Sequence, residues 1–223
     1  YRQLYSMFTV NNDKSGIEFY KITNQRLGNI NIDVTKSWKD AGANSEERLA
    51  LQNALNAKNA TLYLQLSCID YPNAINKENG TVNLGVEDVP IYNVSDENPT
   101  QTGSYRVEIN LAKDTETYYF YNLPKYDTTS QVAHYEVNEI VVMNDGSEMT
   151  VSQFVNSVTG LRDQASYSSS VTQNDYKADH IGTDKQTITI ENRLSDTKDV
   201  VFYKEWRDEY RNENGERPDI SLD

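Results

Sequence analysis

Lysine and asparagine recur in this chain at one fixed interval. Lys36-Ser37-Trp38-Lys39-Asp40 returns 168 residues later as Lys204-Glu205-Trp206-Arg207-Asp208, and Lys21-Ile22-Thr23-Asn24 falls by the same offset on Thr189-Ile190-Glu191-Asn192. Asn24 and Asn192 each stand 12 residues before the lysine that follows, so an amide and an amine come as a set at both ends of the sequence. Other reactive side chains are sparse. Cys68 is the single cysteine, which excludes an internal disulfide framework and a cysteine-rich zinc site. His134 and His180 have no partners at ligand spacing, and the acids around Asp96 and Glu97 do not follow a calcium-loop pattern, so neither a metal nor a cofactor is expected.

A repeat this long implies tandem domains rather than a solenoid. The period places one complete unit over residues 33–196, with residues 1–32 as the C-terminal strands of a preceding repeat and residues 197–223 as the first-strand region of a following one. Strands are the expected positioning elements. Sixteen tyrosines, many threonines and valines and only five prolines suit half-wetted sheets. Apolar or period-two stretches bounded by Asn, Asp and Gly lie at 5–10, 16–23, 30–38, 61–66, 104–111, 117–121, 133–143, 164–172, 186–191 and 199–206. Two segments read as small helical insertions: 44–57, with Asn44 and Glu47 at capping-box spacing before Leu49, Ala50, Ala54 and Leu55, and 149–158. The Asn-, Asp-, Pro- and Gly-rich stretch 70–103 reads as a long decorated loop.

Charge narrows the partners. With 21 Lys and Arg against 34 Asp and Glu, the formal charge of -13 opposes binding to nucleic acid or anionic lipid. No apolar run approaches bilayer length, so no membrane insertion is expected in this segment.

The order of four short motifs carries a family resemblance. Val34-Thr35-Lys36-Ser37-Trp38 is followed by Phe120-Tyr121-Asn122-Leu123-Pro124-Lys125-Tyr126, then Tyr135-Glu136-Val137-Asn138-Glu139, then Ile188-Thr189-Ile190-Glu191-Asn192. In this arrangement the chain resembles the Cna B-type (collagen-adhesin B-like) repeat domains of Gram-positive surface proteins and pili. The resemblance implies an all-β, immunoglobulin-like β-sandwich with small helical insertions. It also implies an isopeptide bond between Lys36 and Asn192, promoted by Glu139, with Asn24 and Lys204 as halves of the bonds of neighbouring repeats.

Such chemistry makes physical demands on those residues. An ammonium is not a nucleophile, so Lys36 must sit in an apolar interior that lowers its pKa. The same burial raises the Glu139 carboxyl, which can then polarise the Asn192 amide and pass a proton to departing ammonia. The role the resemblance implies is a structural stalk repeat of an extracellular, cell wall-anchored adhesin or pilus-like protein, not a conventional enzyme, with adjacent repeats as its partners. The alternative is an adhesin module that holds a host or bacterial surface ligand through the 70–103 loop. An exposed cluster of Tyr71 with Tyr92 would favour that alternative.

Overall fold

The computed structural model describes residues 2–10, 17–93, 103–174 and 183–194. It opens with an antiparallel hairpin, β1 (Arg2–Val10) and β2 (Ile17–Gln25). The remainder runs β3 (Asn29–Lys39), α1 (Glu46–Ala57), β4 (Thr61–Cys68), three short strands β5 (Ile75–Asn76), β6 (Thr81–Val82) and β7 (Val89–Pro90), then β8 (Arg106–Glu108), β9 (Thr115–Pro124) and β10 (Tyr135–Val142). It closes with β11 (Glu148–Met149), α2 (Val151–Ser157), α3 (Leu161–Gln164), β12 (Tyr167–Asn174) and β13 (Thr183–Leu194).

Two four-stranded sheets, β12-β13-β3-β9 and β11-β10-β4-β8, share one apolar core. The fold is thus an all-β sandwich with small helices. Its core is written in strict alternation: Ile30, Ile32 and Val34 of β3 and Ile188 and Ile190 of β13 face Leu62, Leu64 and Leu66 of β4 and Val137 of β10. β3 and β13, the first and last strands of the sandwich, are adjacent and parallel, with Ile190 opposite Lys36 and Asn192 opposite Trp38.

A bulge shifts the phase of β9. Ile30 and Ile32 pair with Leu123 and Phe120, so three residues of β9 span two of β3, and Asn122 takes up the left-handed φ of 66° that asparagine tolerates. Both Phe120 and Leu123 consequently face the core, and Lys125 follows Leu123 inward.

Several expectations need correction. Residue 33, where the sequence places the start of the complete unit, falls inside β3, and the backbone groups of Arg26 and Gly28 just before that strand bond to Ser130 and Lys125. α1 is capped by Ser45, not Asn44, and its buried face is Arg48, Leu51 and Leu55, leaving Leu49 exposed. Segment 104–111 contributes only the three residues of β8, and within 70–103 the chain forms a small β5-β6-β7 meander. Tyr71 and Tyr92 form no exposed cluster: each is half-buried, Tyr71 donates to Asp127, and Tyr92 bridges to Tyr121. The 199–206 strand, Asp96, Glu97, His180 and Lys204 lie outside the described residues.

Candidate functional site

β3 points every second side chain inward, so Lys36 follows Ile32 and Val34 into the core and comes to rest 2 % exposed. β13 runs alongside with the same parity and delivers Asn192, which is wholly buried. From the facing sheet, β10 delivers Glu139 after Tyr135 and Val137, while Glu136 turns outward and accepts a hydrogen bond from Ser67. Three residues far apart in sequence therefore meet between the sheets.

Glu139 Oε1 is the common contact. Asn192 Nδ2 donates to it at 3.0 Å, and Lys36 Nζ lies 3.6 Å away. The ammonium also donates to the Ser37 carbonyl at 3.2 Å and lies 4.0 Å from the centre of the Trp38 ring. Glu139 Oε2 and Asn192 Oδ1 are buried with no hydrogen-bond partner among the described residues. Buried polar atoms are seldom left so. A half-turn of the amide would bring Oδ1 to the carboxyl, and a protonated Glu139 would then donate to it.

The electrostatics move both partners toward their neutral forms. Desolvation lowers the Lys36 pKa from its ordinary value to about 8, against the opposing pull of Glu139. Desolvation likewise raises Glu139 above the usual carboxylate range, more than Lys36 and Asn192 hold it down. One proton passed from ammonium to carboxylate gives an amine with a free lone pair and an acid beside an amide. That set of groups can perform acyl transfer from Asn192 to Lys36. A cleft of about 300 Å³, bordered by Glu139, Asn192, Thr150, Val151, Ser169 and Val171, adjoins the site.

No family model matches the chain, and no curated protein matches it. Among solved structures, a similarity extends to a major pilin protein from Streptococcus pyogenes, at 10 % identity and a TM-score of 0.34. It covers 86 % of this chain and 62 % of the pilin chain, so the present chain spans less than two thirds of that protein's length.

Of the other residues singled out by sequence, Asn24 lies on β2 opposite Gln3, as Asn192 lies on β13 opposite Ser169. Each asparagine thus stands near the end of the second strand of an antiparallel pair. His134 pairs with Asp70 at the surface, and no group of potential metal ligands gathers among the described residues.

Sequence reasoning missed two buried cations. Arg48 of α1 is 1 % exposed beside Trp38 and pairs with Asp40. Lys125 is buried at the opposite end of the sandwich, in contact with Asp184. Arg48 was legible in principle, since it occupies the i position of an i, i+3, i+7 stripe with Leu51 and Leu55. Lys125 was not, because the bulge that turns it inward leaves no mark on the alternation.

Proposed function

We propose that this chain is a stalk segment of a Gram-positive bacterial surface protein, its sandwich closed by a self-made isopeptide bond between Lys36 and Asn192. The neutral Lys36 amine attacks Cγ of Asn192. Glu139, protonated, donates to the amide oxygen as the tetrahedral centre forms, then relays a proton to Nδ2. The Cγ–Nδ2 bond breaks, ammonia leaves, and Nζ–Cγ remains as an amide. The adjoining cleft offers ammonia a way out. Proximity supplies much of the acceleration, because both strands are held in register before reaction.

The observation that carries this reading is the burial of an amine, an amide and a carboxyl in mutual contact, with pKa values displaced toward the neutral forms. An ordinary structural ion pair leaves no reason for an amide with an unpaired oxygen beside it. The proposed unit lies within a tandem array, with the β1–β2 hairpin belonging to the preceding repeat and Asn24 and Lys204 to the bonds of its neighbours. Such an array would sit outside the cell, anchored to the wall, with adjacent repeats as its partners.

Intact mass decides the matter. The purified chain should weigh less than its sequence by one ammonia. Glu139→Ala and Lys36→Ala should fold and keep the full sequence mass. An unmodified mass in the folded wild-type chain overturns the proposal.

A further inference from the structure

The α1 insertion carries the most heavily bonded side chain near the site. Arg48 Nε donates to Asp40 Oδ2 at 2.8 Å and Nη2 to Asp40 Oδ1 at 2.5 Å, a two-pronged pair. Nη1 donates to the carbonyls of Leu111 and Lys113, and Nη2 lies 3.2 Å from Asp114. The guanidinium thus ties the end of β3 to the loop that enters β9. Asp40 is correspondingly saturated, accepting also from Gly42 N and from the Tyr167 hydroxyl at 2.9 Å.

Trp38 is enclosed by this assembly. Arg48 Cζ lies 5.0 Å from its ring centre, Tyr167 meets it edge-on at 5.0 Å, and its backbone N–H donates to Asp114 O. Lys36 Nζ lies 4.0 Å from the same ring centre. The wall of the lysine pocket is therefore held by a helix absent from a minimal sandwich.

We propose that Arg48 is a positioning residue for isopeptide formation: it fixes Trp38 against Lys36 and offsets the charge of Asp40, so that the lysine can surrender its proton. This inference rests on the reading of Lys36, Glu139 and Asn192 as the reacting set. The charged and titratable groups around Lys36 are Glu139 from β10, Glu116 opposite it on β9, Asp40 beyond β3, Asp114 before β9, Tyr167 on β12 and Arg48 itself. Arg48 is the basic member of that set. It opposes the ammonium form of Lys36, whereas Asp40 and Glu139 favour it. Without Arg48, an uncompensated Asp40 holds the proton on Lys36, and the reactive fraction at neutral pH falls.

The test follows ammonia loss by intact mass. Full chains are translated in a short cell-free pulse and transferred to buffers spanning neutral to alkaline pH, with tryptophan fluorescence reporting folding in parallel. Arg48→Gln should react about tenfold more slowly at neutral pH and recover as pH rises while Glu139 still holds its proton, a displacement of roughly one unit in the rising limb of the rate profile. The pair Arg48→Gln with Asp40→Asn removes both charges and should return the profile to the wild-type position. Asp40→Asn alone, with Arg48 kept, should move it the other way; this arm reads the charge balance even where Arg48→Gln does not fold. Wild-type profiles in all variants overturn the inference. So does a loss of rate that is equal at every pH and not restored in the double variant, which marks Arg48 as a structural brace only. A wild-type chain that never loses ammonia overturns the underlying reaction instead.

Discussion

Lys36 and Glu139 would each be costly to bury alone, and their shifts run in opposite directions along the pH axis. Asn192→Ala removes the amide that the proposed reaction consumes and leaves the amine to titrate. In that variant the folded lysine, with its pKa near 8, gives up its proton before the unfolded one near 10.5, so between those values the unfolded state binds more protons. Stability should therefore rise with pH through this window, by about 3 kcal/mol in all, and the gain should be absent below it. The raised Glu139 acts oppositely: the folded state keeps its proton longer, and stability falls as pH climbs from the ordinary carboxylate value to the folded one. If Nζ is consumed as an amide in the wild-type chain, as proposed, urea melts across the alkaline window should show no slope from Lys36. An equal slope in both proteins would mean that Lys36 stays a free amine. These three residues were legible because a repeat and an ordered set of motifs marked them. Arg48 and Lys125 escaped because each sits where an apolar residue would, and the acids that make burial tolerable lie elsewhere in the chain: Asp40 and Asp114 for one, Asp184 for the other.

The strands of the sandwich announce themselves by alternation, and the helices by their caps. α1 starts at Ser45, whose hydroxyl accepts from Arg48 N, and α2 at Thr150, in a reciprocal capping box with Gln153. Ser45→Ala should cost about 1 kcal/mol in chemical denaturation of the bond-free Lys36→Ala background. It should leave ammonia loss intact in the otherwise wild-type chain, because the remaining bonds of Arg48 hold the helix in place. A larger penalty with failure of the bond would make the α1 start part of the site's support. What the sequence hid at this scale was phase and partnership. Asn44 and Ser45 are both good caps, and a one-residue shift moves Leu49 from core to solvent and Arg48 from solvent to core. The β5-β6-β7 meander consists of two-residue strands, too short to show any period. Parallel pairing of β3 with β13 joins strands about 150 residues apart, which no local pattern encodes.

The proposed bond closes a loop of roughly 155 residues, which by chain-entropy reasoning removes about 5 kcal/mol of denatured-state freedom, comparable to the whole stability of a domain. Under load the effect is larger than this figure suggests. Tension applied at the two termini would enter β3 at Asn29, cross from Lys36 to Asn192 and leave through Leu194, bypassing everything between. Single-molecule stretching should find the wild-type unit inextensible, whereas Lys36→Ala should release roughly 500 Å of chain in one step. Release of that length by the wild-type unit would show that no covalent link spans the sandwich. The parallel run of β3 and β13 has a further consequence for geometry. The chain enters β3 at one pole and leaves β13 at the other, so in the proposed array the unit would act as a spacer of fixed height, about 35 Å for the eleven residues of β3. Where such units follow one another, gaining or losing a copy shifts whatever they carry by one increment, and reach becomes a quantity that duplication or deletion of a gene segment can set in whole numbers.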